Sequence, residues 1–388
     1  MRLAVIGVLL LVAGGIAAAT GALPEAELFA LADRVVPILV FVAAITVVTE
    51  LASEAGVFLW AGRRLRRWGL GTGLVLWLLL ALLAALSTIF LSLDTTAVLL
   101  TPVVVTVVRQ AGLPPLPFVL TTIWLANTAS LLLPVSNLTN LLAQHSLGGL
   151  SPAGFAALMW APAVAGIIVP MALIGLLFRR DLRLRYERTP PSETASPAPE
   201  RFLLAASGVV LVLLLPLLVS GIPVWIPSTA AAAVLGLLFA LRRPGVLTVK
   251  LVPWPLLLFA SGLFLAMEAF LALGGSALLG TLAGQGENFA ELLRLAATGA
   301  AGANAVNNLP AYLLAEPLAE TPTRMAALLI GVNAGPLITP WASLATLLWH
   351  DRLMRMQVVI SWKGYALAGL IAAPLTVTVA VAALAAAS

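Results

Sequence analysis

The sequence predicts an all-α polytopic membrane protein built as two inverted repeats, each with a re-entrant hairpin and a broken transmembrane helix. Three observations predict it. Apolar stretches long enough to cross a bilayer recur along the whole chain. Short motifs of the first half return in the second at fixed offsets. Each half also holds two apolar stretches interrupted by Asn, Ser, Thr and Pro.

Hydrophobic residues make up 61% of the 388 and charged residues only 10%, whereas an ordinary soluble domain carries about a quarter charged residues. A water-soluble core of this size cannot hide so much apolar surface. A span needs about 20 mostly apolar residues to cross roughly 30 Å of hydrocarbon. Apolar stretches lie at 3–19, 35–61, 72–90, 95–109, 117–145, 153–178, 203–219, 225–241, 253–272, 289–318, 324–349 and 361–385. The first follows Arg2 and has no small-residue cleavage site before Leu23, so it reads as a span and not as a leader. One hydrophilic stretch, RRDLRLRYERTPPSETASPAPER at 179–201, divides the chain. The expected units are a first repeat at 1–178, a cytoplasmic linker at 179–201, and a linking helix with the second repeat at 202–388.

The net charge of +5 belongs with cytoplasmic loops and does not call for nucleic acid. There is no Cys, which excludes disulfides, thiolate metal sites and a catalytic thiol. His145 and His350 stand too far apart for a metal motif, and neither a metal nor a cofactor is expected. No GxxxxGK[ST] loop is present, and no His-Glu or Ser-Lys constellation suggests an intramembrane hydrolase. The chain reads as a non-enzyme.

The repeat carries the most information. Pro37, Glu50 and Gly56 return as Pro255, Glu268 and Gly274 at a constant offset of 218 residues, and Asn127 and Pro134 return as Asn333 and Pro340. Two similar halves joined by a loop are a signature of secondary transporters. With the N-terminus cytoplasmic and 72–109 and 289–318 taken as hairpins that do not cross, nine crossings leave the C-terminus outside. Arg63, Arg64, Arg66, Arg67, Arg109, the linker arginines, Arg242, Arg243, Lys250, Arg352, Arg355 and Lys363 then fall inside, against Arg34, Arg294 and Arg324 outside. That is the bias expected of cytoplasmic loops.

Four motifs break the apolar runs: SLDTTAVLLTPVV at 92–104, ANTASLLLPVSNLTN at 126–140, GANAVNNLPAYLL at 302–314 and GVNAGPLITPWASLATLLWHD at 331–351. Proline removes an amide donor and interrupts the helical ladder. Bare backbone groups survive at membrane depth only inside protein or against a polar cavity. The residues expected to line one mid-membrane site are Ser92, Asp94, Thr95, Thr96, Asn127, Thr128, Ser130, Ser136, Asn137, Asn304, Asn307, Asn308, Asn333, Thr339 and Ser343. A plainer reading is that these side chains only bond helices together and the prolines only kink them. Asp94 is the sharpest signal, because an Asp at the bilayer centre costs about 2.5–3.5 kcal/mol on insertion scales and must be protonated, paired or wet. It is the first candidate for proton coupling, against a role as a simple helix cap. Glu50 and Glu268, at matching repeat positions, are the second.

On these motifs the chain resembles the arsenical pump membrane protein family of arsenite and antimonite efflux permeases, over essentially its whole length. The resemblance implies extrusion of trivalent arsenic or antimony hydroxides from the cell across the inner membrane, driven by protons, in some members with a soluble arsenite-stimulated ATPase as partner. The superfamily also contains sodium/proton antiporters and dicarboxylate/sodium symporters whose hairpin tips carry Ser-Asn-Thr. The present tip reads Ser92-Leu93-Asp94-Thr95-Thr96 and departs from that motif. With no Cys, trivalent arsenic has only oxygen and nitrogen contacts available. The alternatives are a sodium/proton antiporter, an anion carrier of the dicarboxylate type, and a passive channel.

Overall fold

The computed structural model describes residues 2–21, 23–187, 200–274 and 283–387. The predicted linker lies for the most part outside these, at 188–199. Every named element is a helix, and the described residues form no β-strand beyond one isolated bridge between Thr72 and Arg185.

The first half opens with α1 (Arg2–Ala19), α2 (Glu25–Glu54) and a short arginine-rich α3 (Val57–Trp68). A hairpin follows, made of α4 (Gly73–Phe90) and α5 (Leu93–Gln110) with only Leu91 and Ser92 between them. Within α5 the chain widens to a π turn at Thr96–Leu100, just before Pro102, which has no amide to give the ladder. Next come α6 (Leu116–Thr128) and α7 (Leu138–Ser146), two pieces of one broken helix, and then α8 (Pro152–Leu177).

Two connecting helices, α9 (Arg201–Leu218) and α10 (Trp225–Arg242), precede the second copy. It runs α11 (Trp254–Ala272), a hairpin of α12 (Phe289–Ala305) and α13 (Asn308–Ala315), the broken pair α14 (Pro322–Ala334) and α15 (Leu344–Arg355), and α16 (Trp362–Ala387). The order of elements repeats: long helix, hairpin, broken helix, closing helix.

Eight of the described helices are long and apolar enough to cross a bilayer. They include α4 and α5, both expected from the sequence to turn back inside the membrane. Length alone would let these arms cross, yet their turn ends against the break between α6 and α7, where Ser136 Oγ donates to the Ile89 carbonyl at 2.7 Å. The second hairpin is shorter. Its return arm α13 has 8 residues, about 12 Å of helix, too short to span.

The helices sort into two groups. In the first, α1 packs along α11 and α10 along α2, so the helix before each long helix leans on the long helix of the other half. The second group holds the hairpins, the broken helices, α8 and α16. Its centre is α6 and α14, buried along almost their whole length. The closing helices approach the breaks through glycine. A Cβ on Gly166 of α8 would meet the Thr128 carbonyl oxygen at 2.9 Å, and one on Gly369 of α16 would meet that of Leu337 at 1.9 Å.

Candidate functional site at the helix breaks

Both hairpin tips turn through the same backbone shape. Ser92 has φ 139°, ψ 162° and its Oγ accepts the Thr95 amide at 3.2 Å. Asn307 has φ 158°, ψ 159° and its Oδ1 accepts the Leu309 amide at 3.2 Å. Each side chain thereby covers one of the free donors at its helix start. The breaks match as well. A single 3₁₀ turn at Pro134–Ser136 leads to extended Asn137 and α7, and a single 3₁₀ turn at Pro340–Ala342 leads to extended Ser343 and α15.

These four helix starts meet. Leu93, Asp94, Asn137, Leu138, Asn307, Asn308, Leu309, Ser343, Leu344 and Ala345, with Leu256 and Phe259 of α11, line one small cavity of about 50 Å³. The N-termini of α5, α7, α13 and α15 therefore face one space, each equivalent to roughly half a positive charge. Such a space attracts electron-rich oxygens and repels bare cations. Asp94 is the one carboxylate in it, and Ser343 Oγ is buried there with no protein partner among the described residues.

Asp94 also opens on a second, larger cavity of about 370 Å³, lined by Thr46, Thr49, Glu50 and Thr95 on the polar side. The two cavities share Asp94, Leu256 and Leu344, so the larger is a vestibule to the smaller. No lysine or arginine lines either.

Several predicted site residues are not in contact with either cavity. Asn333 sits behind the small cavity as a junction. Its Oδ1 accepts Asn137 Nδ2 at 2.9 Å and Thr139 Oγ1 at 2.9 Å, and its Nδ2 donates to Asn140 Oδ1 at 2.7 Å. Asn140 Nδ2 in turn donates to the Ser130 and Leu133 carbonyls at 2.7 and 3.0 Å. The first break is thus held by a side chain of the second half. The second break is held by its own hairpin: Asn304 Nδ2 donates to the Gly335 carbonyl at 2.8 Å, its Oδ1 accepts the Thr339 amide at 3.0 Å, and Thr339 Oγ1 donates to the Asn304 carbonyl at 2.8 Å. Asn127, the repeat partner of Asn333, only donates to the Ile123 carbonyl at 3.0 Å, and its Oδ1 has no partner among the described residues. Thr128, Ser130 and Ser136 are fully buried.

Ser92 and Thr96 belong to a hydroxyl cluster inside the first hairpin, where Thr88 Oγ1 donates to Thr96 Oγ1 and Thr96 Oγ1 to Ser87 Oγ, both at 2.9 Å. Ser87, Thr88, Thr139 and Asn140 were not selected from the sequence, although Thr139 and Asn140 fall inside the second motif. Glu50 stands in the vestibule with Asp94. Glu268 stands elsewhere, in a separate cavity of about 240 Å³ with Arg34, Ser146 and Glu316. The two glutamates that the sequence pairs are in different cavities.

Residues 1–348 match the family model described as citrate transporter. The chain is 32% identical over 355 residues to the arsenical pump membrane protein of Yersinia enterocolitica, covering 84% of this chain and 81% of the relative. It is 31% identical over 349 residues to the arsenical pump membrane protein of Escherichia coli (strain K12), with the same coverage of 84% and 81%. Among solved structures it resembles the YdaH transporter of Alcanivorax borkumensis, with a TM-score of 0.58 at 16% identity over 99% of this chain and 97% of that one.

Proposed function

The chain belongs to the arsenical pump membrane proteins, within the family described as citrate transporters, and on that premise we propose that it extrudes arsenite and antimonite across the inner membrane in exchange for protons. The transport class follows from the family.

One observation carries it: four half-helix N-termini and one aspartate enclose a cavity of about 50 Å³ with no cationic side chain. A water needs about 10–15 Å³ of such space, so the constriction suits a solute of a few heavy atoms. A trivalent arsenic hydroxide is small, neutral and ringed by hydroxyls that can accept from helix N-termini and donate to Asp94 and Ser343. A sodium ion would face the positive ends of four helices. A dicarboxylate would face the Asp94 charge with no arginine to balance it.

On this reading Asp94 binds a proton and the solute alternately, and the two repeats, inverted relative to each other, expose the cavity first to one side and then to the other. The vestibule beside Glu50 faces the cytoplasm, as the basic flanks at Arg352, Arg355 and Lys250 favour. The linker then faces the cytoplasm and the C-terminus the outside; reporter fusions within 188–199 and after Ser388 that landed on one side would refute this arrangement.

The test of function is uptake into everted vesicles. Arsenite and antimonite should accumulate when the interior is acid, saturate with concentration and lose accumulation when nigericin collapses the gradient. Accumulation that follows a sodium gradient, or flux that neither saturates nor responds to pH, would reject the proposal.

A further inference from the structure

We propose that Arg34 and Glu316 form the latch that holds one vestibule shut in this conformation, and that Glu50 and Arg352 form the counterpart latch in the opposite one. The inference rests on the alternating-access reading above and adds the contacts that make it alternate.

On the side away from the Glu50 vestibule, three donors converge on a single oxygen, Glu316 Oε1. They are the Arg34 guanidinium, the Ser146 hydroxyl and, at 2.9 Å, the Tyr312 hydroxyl. Arg34 Nη2 also donates to Ser146 Oγ at 3.1 Å. Both members of the ion pair are largely shielded, with side-chain exposures of 18% and 12%. Pairs held this way are stronger than exposed surface pairs, because screening is weak and each partner is further hydrogen-bonded.

What the latch joins matters more than its strength. Arg34 is on α2, in the group of helices that packs with α1, α10 and α11. Glu316 follows the return arm α13 of the second hairpin, and Ser146 ends α7. The contact ties one helix group to the other, across the seam that must open if that side is to admit solute. The cavity there shares no lining residue with the small cavity at Asp94, whereas the Glu50 vestibule shares three.

The repeat supplies the counterpart. Glu268 corresponds to Glu50, and Ser146 corresponds to Arg352, at the same offsets that relate the long helices and the breaks. Arg34 corresponds to Val252 and has no basic equivalent. Arg34 on α2 thus lines one cavity, and on the other side Arg352 on α15 lies near enough to Glu50 for its charge to act there without lining the vestibule. Glu50 is on the α2 group and Arg352 on the other. The Arg352 charge acts on Glu50, but among the described residues no ion pair joins them. The Arg34–Glu316 latch is closed, and Glu50 and Arg352, the repeat equivalents of two other residues of that same cavity, Glu268 and Ser146, are not joined, as two states of one exchange require.

The chain has no cysteine, so single cysteines report accessibility without background. Leu348→Cys reads the open vestibule and Leu271→Cys the latched one, each labelled with a membrane-impermeant maleimide on purified protein. Glu316→Gln should raise labelling at Leu271→Cys and lower it at Leu348→Cys, so that the ratio of the two moves by about tenfold, the scale on which loss of a charge-assisted bond moves an equilibrium. Arg34→Gln should act in the same direction and guards against misfolding of the first variant. Arg352→Gln should do the reverse. Any other pattern, whether no change at either site or a rise at both, would overturn the latch. Because labelling needs no substrate, a protein that failed to carry arsenite would still report on it, so the two proposals fail separately.

Discussion

The hairpin tip at Ser92 and the tip at Asn307 turn through nearly the same backbone and cap their helices in the same way, yet the first presents a carboxyl group to the cavity and the second presents amides. The two tips share a scaffold and differ in the chemistry they carry. A physical reason is at hand: two ionised carboxylates about 5 Å apart would repel by roughly 3 kcal/mol at an effective dielectric of 20. The amide tip, by contrast, can hold an oxygen-rich solute in the same geometry whatever the pH.

The largest effect should therefore come from erasing the difference between the tips. Asp94→Asn gives the first tip the amide chemistry of the second. It should retain exchange of arsenite down its own gradient but lose all response to an imposed pH gradient. The cap of this helix is Ser92 and Asp94 only stands in its first turn, so a purely structural Asp94, favoured there by the helix dipole, would lose little on becoming Asn. Proton-driven accumulation by Asp94→Asn at the wild-type rate would remove Asp94 from coupling and leave Glu50 and Glu268 as the candidates.

The breaks differ in a second way, which stability can measure. Asn333 closes three side-chain hydrogen bonds across the two halves, and its repeat partner Asn127 closes only one to its own helix. Asn333→Ala should destabilise the protein by about 2–3 kcal/mol in detergent unfolding, at about 1 kcal/mol per bond lost or partner stranded. Asn127→Ala should cost about 1 kcal/mol by the same reckoning, and less if its unpartnered oxygen is already a liability. Equal losses would mean that the junction at Asn333 is not what joins the halves.

How much of this was legible in the sequence follows from what each feature depends on. The breaks at Pro134 and Pro340 and the tips at Asp94 and Asn307 were visible because they need Pro, Asn and hydroxyls inside apolar runs, which is a local pattern. The matched order of elements was visible because offsets of paired residues survive even where identities do not. The contrast between Asn127 and Asn333 was not. Both sit at the same step of the same repeat, and only the fold shows that Thr139 and Asn140 point at one of them. Glu50 and Glu268 show the same limit: equivalence within a repeat fixes the place on a helix and not the cavity that the helix faces. The Arg34–Glu316 pair joins residues 282 apart and left no trace in either local pattern.

A smaller effect is expected at the closing helices. Gly369→Ala would push a methyl group into the Leu337 carbonyl, 1.9 Å from the new carbon, whereas Gly166→Ala meets the Thr128 carbonyl at 2.9 Å. Overpacking of this kind costs about 1–3 kcal/mol, and Gly369→Ala should lie near the upper end and Gly166→Ala near the lower. Thermal unfolding that ranks them the other way would show that the backbone at the second break yields more readily to the added methyl group than the backbone at the first.

The smallest effect separates the tips themselves. Ser92 and Asn307 both hold a side chain at positive φ, 139° and 158°, where glycine is freer than any residue with a Cβ. Replacing an N-cap Ser or Asn with Gly costs only a few tenths of a kcal/mol, against about 1 kcal/mol for Ala. Ser92→Gly should then be close to neutral, because relief of the backbone offsets the lost cap, and Ser92→Ala should cost about 1 kcal/mol. Beyond its cap Ser92 Oγ meets, among the described residues, only the Thr95 hydroxyl of the same turn, at 3.1 Å, whereas Asn307 Nδ2 donates to the Trp341 carbonyl at 2.9 Å and so ties the second tip to the second break. Asn307→Gly should for that reason cost about 0.5–1 kcal/mol beyond Ser92→Gly, the net worth of one partly exposed hydrogen bond. If the two glycine variants unfold alike, the bond to Trp341 contributes nothing measurable. The tips then differ only in the chemistry they offer to the cavity, and not in how firmly they are held.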